Sequence, residues 1–206
     1  MLKHFRVRGR LGLKLTEFGI SIPAVLRRAG LPQDLFEQKH CLVSTEELFA
    51  LWSAIESLSS DPQIGLRLGV ETRIEHFHPM GIAALSTEDF VAAVKHMARF
   101  KKLTAPEEIL YELNGTEFSV GFRWLLAVDA EPVVLTDCCL AWMLTIARHG
   151  TGKQQLTPLR VEYAQPRTNL RAIERHFGCE AIGGASRNAI VFSAADARVP
   201  FVTRNE

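Results

Sequence analysis

DPQIGLRLGVETRIEHFHPMGIAALSTEDFVAAVKHMARF, residues 61–100, reads as three helices in quick succession. The last is the clearest. Thr87 offers an N-cap oxygen, Glu88 and Asp89 put negative charge into the first turn, and Phe90, Val91, Val94, Met97 and Ala98 recur at helical spacing. At about 100° per residue these apolar side chains share one arc, while Lys95, His96, Arg99 and Lys102 share the opposite one, so the helix buries one face. Before it, residues 79–85 form a short helix of small and apolar residues, in which Gly81, Ala83 and Ala84 let another backbone approach closely. Upstream, Asp61 caps a helix with Pro62 at its first position, and Gly69 ends it.

The chain before this stretch is also helical. Arg6, Arg8, Arg10 and Lys14 make the first segment a positive arm, either a solvated end or a contact for a partner or a nucleic-acid phosphate. Residues 11–18 form a helix closed by Gly19, and Ser21-Ile22-Pro23 opens another that Gly30 ends. Ser44 and Glu47 have capping-box spacing, Val43 can staple to Leu48, and Leu48, Leu51, Trp52, Ile55 and Leu58 make one apolar stripe.

After Lys102 the pattern changes to strands. Asn114-Gly115 between two alternating runs signals a hairpin with a type I′ turn, which pairs Leu113 with Thr116, Tyr111 with Phe118 and Ile109 with Val120 on one buried face, and sets Glu112 opposite Glu117. Residues 132–149 form a helix that is apolar nearly all round. Leu135, Cys139, Trp142 and Ile146 take one side, Leu140, Met143, Leu144 and Ala147 another, and only a narrow stripe through Asp137, Thr145 and Arg148 is polar. It is either the central core helix or part of a subunit interface. Leu159, Val161 and Tyr163 alternate as a strand, Thr168 caps a helix closed by Gly178, and two short strands follow near 179–182 and 189–192, joined by a Gly-rich turn. The expected fold is α+β: a helical N-terminal part over about 9–102, then an antiparallel sheet of about five strands with packed helices over about 103–202, forming a single domain over 1–206.

Composition narrows the function. A 47% hydrophobic, 23% charged chain with a net charge of +1 is ordinary for a globular protein and lacks the basic excess of a dedicated nucleic-acid binder. No run of 18 apolar residues offers a membrane span, and the N-terminus lacks the apolar core and cleavage site of a secretory signal, which points to the cytoplasm. Cys41, Cys138, Cys139 and Cys179 show no CxxC spacing and read as reduced thiols. Neither a Gly-x-Ser-x-Gly elbow nor a phosphate-cradling loop occurs, so no catalytic residue and no cofactor is assigned. His76-Phe77-His78 has a metal-like spacing but no evident further ligands, so no metal is assigned either. His149 and His176 lie near helix C-termini, where the dipole favours the cation.

Several of these segments carry a resemblance when read together. Asp61-Pro62, Gly65-Leu66-Arg67-Leu68-Gly69, the Gly-bearing helix and the amphipathic helix ending Arg99-Phe100 come in that order. Val25-Leu26-Arg27-Arg28-Ala29-Gly30-Leu31-Pro32 stands before them, and Tyr163-Ala164-Gln165-Pro166, His176-Phe177-Gly178-Cys179 and Ser186-Arg187-Asn188-Ala189-Ile190-Val191-Phe192 after them. The chain resembles the non-cupin, arabinose-binding-like effector domain of AraC-type transcriptional regulators over nearly its whole length. One departure is Gly183-Gly184, where that family usually carries an aromatic residue.

The resemblance implies a ligand-sensing regulatory domain rather than an enzyme. It implies a small-molecule effector, a possible homodimer, and DNA as a partner only through a C-terminal domain of two helix-turn-helix units, expected beyond the segment matched here. The rival readings are an enzyme of small-molecule metabolism and a purely structural dimerisation module; a closed cavity with a few converging polar groups favours the sensor. Tyr111, Phe118, Phe122 and Trp124 belong to the buried face of the hairpin, and Met97 and Trp142 to the facing helices. That layer is either filled core or the effector site. A buried Tyr hydroxyl or Trp N–H needs a partner that an effector can supply, so Tyr111, Trp124, Trp142 and Met97 are the candidate ligand-binding residues, between the strands at 109–124 and the helices at 88–102 and 133–149.

Overall fold

Local capping signals set many of the helix ends, and long-range packing sets the strands. The computed structural model describes residues 3–7, 9–38 and 41–204, so Arg8 of the basic arm lies outside the described residues. In chain order the elements are β1 (Phe5–Arg6), α1 (Gly9–Glu17), α2 (Ile22–Arg28), β2 (Leu42–Val43), α3 (Thr45–Leu58), α4 (Ile64–Gly69), α5 (Pro79–Leu85), α6 (Phe90–Thr104), β3 (Glu107–Asn114), β4 (Glu117–Trp124), α7 (Val133–Thr151), β5 (Arg160–Tyr163), α8 (Leu170–Phe177), β6 (Glu180–Gly183), β7 (Ala189–Ser193) and α9 (Ala194–Ala197). The capping box of α3 is formed: Glu47 N–H donates to Ser44 Oγ at 3.2 Å and Ser44 N–H donates to Glu47 Oε2 at 2.7 Å. In α6 the cap is Asp89, whose Oδ1 accepts from Ala92 N–H at 2.7 Å, whereas Thr87 turns back to donate to the Ala84 carbonyl at 2.7 Å. Phe90, Val91, Val94, Met97 and Ala98 are buried, as the arc requires.

The N-terminal part is not wholly helical. β1 and β2 pair antiparallel, Phe5 with Val43 and Arg6 with Leu42. Strands of two residues carry no alternation, so the sequence held no sign of them.

The larger sheet has the order β3-β4-β7-β5-β6. It is mixed rather than antiparallel, because β5 and β6 run parallel, connected through α8. The Gly-rich segment before β7 is therefore no hairpin: β5 lies between β6 and β7. The hairpin register also differs from the expected one by two. Leu113 pairs with Phe118, Tyr111 with Val120, Ile109 with Phe122 and Glu112 with Ser119. A type I′ turn needs positive φ at both loop residues; here Gly115 alone is left-handed (φ 57°), so Gly115-Thr116 form the loop in the manner of a II′ turn. Glu117 consequently escapes Glu112 and accepts both Arg160 Nη1 and Nη2, at 2.7 and 2.9 Å. Gly115→Ala should cost about 1–2 kcal/mol in chemical denaturation, and Asn114→Ala distinctly less, because only the first residue pays for a left-handed backbone.

Two apolar cores result. One lies among α1–α4, the small sheet and the start of α7; the other fills the space between the large sheet and α5–α8. α7 serves both, with Val134 and Leu135 in the first and Leu140, Met143, Leu144 and Ile146 in the second. It is the central core helix. Its expected polar stripe is covered as well: Asp137 and Thr145 are 3% and 7% exposed.

Candidate functional site

At the seam between the two cores is a cavity of about 320 Å³, at the small end of the range for small-molecule sites. Its walls come from β1 and α1, from α3, from α4 and the segment after it, from the end of α6, the facing ends of β3 and β4, and α7. All the tryptophans of the chain, Trp52, Trp124 and Trp142, line it.

Trp124 ends β4 opposite Glu107. Its ring packs against Phe5 and Phe49, each with centroids 5.6 Å away, and its indole N–H donates to Glu131, which also accepts from Asn188 Nδ2. Burial raises the pKa of the Glu131 carboxyl, and these donated hydrogen bonds work against that rise. Trp142, half-buried on α7, touches Gly81, where a Cβ would come within 3.3 Å of the indole. The neighbours of Gly81 are the Phe77, Trp142 and Ile146 side chains rather than the backbone expected from the sequence. Trp52 comes from the apolar stripe of α3.

Of the residues expected to bind a ligand, Trp124 and Trp142 meet in this cavity and Met97 and Tyr111 do not line it. Met97 is fully buried on the sheet side of α6, deeper than the cavity. Tyr111 is 43% exposed toward the turn end of β3, which is an edge strand. The cavity that Trp124 and Trp142 share thus opens at the seam with the N-terminal part, whose α1 and α3 supply walls alongside the hairpin and helices.

Besides Arg6 and His78, the polar lining includes two ion-pair groups. Lys101 Nζ lies 2.8 Å from Glu107 Oε2, whose side chain is only 3% exposed. Burial favours the neutral amine, but the Glu107 carboxylate outweighs it and the Lys101 pKa is raised. A signal for this pair was present in the sequence: Lys101 falls four residues after Met97 and seven after Val94, on the apolar arc of α6. The second group surrounds Glu71. Lys14 Nζ and Arg10 Nη2 lie 3.3 and 3.6 Å from its Oε2, and His76 Nδ1 lies 3.4 Å from its Oε1. Lys14 also donates to the Leu68 and Val70 carbonyls at 3.1 and 2.7 Å, which ties α1 to the end of α4. Burial pushes the Glu71 carboxyl up, Lys14 and Arg10 push it down, and the balance holds it below the usual carboxylate range. Part of the basic arm is therefore a cavity wall.

The remaining reactive side chains are quiet. Burial raises the Cys138 thiol to about 12 and the Cys139 thiol well above its ordinary value, so both resist ionisation. His78 Nδ1 accepts from Met80 N–H at 3.0 Å and caps α5, while His76 faces Glu71, so the alternate histidines serve different partners. Among the described residues no group of His, Cys, Asp or Glu is placed to hold a metal ion. Burial and the Arg148 charge lower the His176 pKa, so the neutral imidazole is favoured there, against the expectation of a cation.

The model of the arabinose-binding domain of AraC transcription regulators, N-terminal, matches residues 19–201. The chain belongs to this family. Among solved structures it is similar to the crystal structure of transcriptional regulator CdpR from Pseudomonas aeruginosa, with a TM-score of 0.64 over 95% of this chain and 57% of that one. At 17% identity this likeness is one of fold, and the chain spans little more than half the length of that regulator. No curated protein sequence matches it. In this AraC-type domain the sequence motifs have structural duties. Gly65 and Gly69 of the Gly-Leu-Arg-Leu-Gly motif face the backbone of α7, where a Cβ on Gly65 would come within 2.5 Å of the Val134 carbonyl oxygen. At the departure from the family pattern, a Cβ on Gly183 would lie 3.1 Å from the Arg167 nitrogen. Among the described residues no helix is long and apolar enough to cross a membrane.

Proposed function

We propose that this domain senses a small-molecule effector in the seam cavity and transmits its presence to a helix-turn-helix domain elsewhere in the regulator. The observation that carries the reading is the cavity itself, an apolar chamber with Trp52, Trp124 and Trp142 in its walls and two ion-pair groups at its edges, built from both cores. An occupant touching both halves binds one relative arrangement of them better than another, which is what a ligand needs in order to shift a conformational equilibrium. The family's name does not make arabinose the effector, since one fold hosts unrelated ligands.

The domain is a non-catalytic one. Its cavity carboxylates are engaged by cations and its cavity thiols are held protonated. Recovery of the bound ligand chemically unaltered separates the sensor from an enzyme. The regulator acts in the cytoplasm, where effector and DNA meet. The exposed apolar side chains Phe100 and Leu103 on α6 and Leu110 and Leu113 on the edge strand β3 support a homodimer along that margin. Leu103→Glu should then shift sedimentation toward the monomer, and an unchanged dimer would move the interface elsewhere.

Tryptophan fluorescence tests the site. Ligand-induced quenching should fall in Trp124→Phe and in Trp142→Phe, with affinity weakened roughly 2- to 10-fold as the larger aromatic contact is lost. Unchanged quenching and unchanged affinity in both variants would rule the cavity out.

A further inference from the structure

We infer that the effector is an amphipathic monocarboxylate, its apolar body against Trp52 and Trp142 and its carboxylate at the Arg10–Lys14 end of the cavity; this rests on the seam cavity being the effector site. The cations of the lining, Arg10, Lys14 and Lys101 among them, outnumber its carboxylates, Glu71 and Glu107. Lys14 is already held by the Leu68 and Val70 carbonyls and Glu71, but Arg10 Nε is buried with no hydrogen-bond partner among the described residues, and the indole N–H groups of Trp52 and Trp142 hydrogen-bond to no described residue. Among the described lining residues there is no hydroxyl and no side-chain amide. The carboxylates already face cations, Glu107 facing Lys101 and Glu71 facing Lys14 and Arg10, while the Leu68 carbonyl accepts from Lys14, the Glu71 carbonyl pairs with His149 at 3.0 Å and His76 Nδ1 accepts from Arg10 Nη2 at 3.0 Å.

A sugar brings a donor with every hydroxyl and an amine brings only donors, so both would leave hydrogens without partners here. A carboxylate accepts only. The two ion-pair groups differ in a way that places it. Lys101 and Glu107 balance one to one, whereas Arg10 and Lys14 share the one carboxylate of Glu71 through its Oε2 at 3.6 and 3.3 Å, longer than a tight charge-assisted hydrogen bond, with Arg10 Nη2 also donating to His76 Nδ1 at 3.0 Å. Arg10 also reaches Glu17 at 2.9 Å, but that side chain is 56% exposed and outside the cavity lining. The depressed Glu71 carboxyl reports the same positive local potential.

The test pairs each acid with its neutral amide, octanoate with octanamide and cinnamate with cinnamamide, and adds arabinose and octylamine, reading tryptophan quenching and calorimetric affinity on the full chain. At least one acid should bind about tenfold or more tightly than its amide, a preference that shrinks with added salt and in Arg10→Gln and Lys14→Gln. The salt arm keeps the test decisive if either variant folds poorly. Equal or tighter binding of the amides, or no binding by any acid, overturns the inference. Arabinose or octylamine quenching the same tryptophans would overturn the ligand class and leave the site standing. An acid that binds without disturbing the tryptophans would remove the site itself.

Discussion

Gly69→Leu is expected to lower stability by about 3 kcal/mol or more, measured by urea denaturation followed by circular dichroism. A Cβ at residue 69 would collide with the Cys138 carbonyl oxygen and lie 2.7 Å from the Ala141 Cβ. The obstacle is helix backbone, which cannot yield as the end of a flexible side chain does. α4 must then lift off α7, and since α7 serves both cores the damage reaches each of them. Gly9→Ala is the control: its Cβ would meet nothing nearer than the Phe36 carbonyl oxygen at 3.7 Å, and it should be neutral or slightly stabilising. A Gly69→Leu protein as stable as the parent would show that the two helices do not touch at that point.

The second large effect is expected at Arg167. Its Nη2 lies 2.8 Å from Asp137 Oδ2 with both side chains 4% exposed, its Nε donates to Asn169 Oδ1 at 3.2 Å, and its guanidinium stacks over Tyr163 at 4.6 Å. Arg167→Ala strands a buried carboxylate and should cost about 3–5 kcal/mol near neutral pH, although the intact pair need not be worth that much. The pH dependence gives the sign. Burial already raises the Asp137 carboxyl above its ordinary value despite Arg167, and removing the cation raises it further. A carboxyl with a higher pKa folded than unfolded binds its proton more tightly in the fold, so stability is present below the unfolded value and lost as pH climbs through the folded one. The deficit of Arg167→Ala should therefore shrink on going from about pH 7 toward pH 4. A deficit that grows on acidification would contradict a buried, charged Asp137.

The helices were legible in the sequence because their determinants are local. The Ser44–Glu47 box, the prolines near helix starts and the arc from Phe90 to Ala98 all act within a few residues. The sheet was legible only in part. β5, β6 and β7 are too short to encode their neighbours, and the parallel pairing of β5 with β6 depends on where α8 carries the chain. The hairpin register turned on whether Asn114 or Gly115 opens the loop, a choice the Asn-Gly pair leaves undetermined. Tyr111 was misplaced because its exposure depends on β3 being at the edge, and Asp137 because its partner Arg167 is 30 residues away. Trp124 and Trp142, singled out in the sequence for their aromatic character, line the cavity. The part played by α1 and the Glu71 cluster was not, since residues so distant in sequence meet only once α4 has docked on α7.

The central claim is that the seam cavity binds the effector, and the most direct measurement is a thermal-shift comparison of the parent with a cavity-filling variant, Cys139→Phe. A metabolite present at 100 times its dissociation constant stabilises the parent by about 2.7 kcal/mol. Cys139 lies in the cavity wall on α7 beside the tryptophans, so the added ring takes the ligand's space. The account predicts that the variant melts cooperatively and that the ligand-induced shift disappears; a variant that keeps the full shift would place the effector elsewhere.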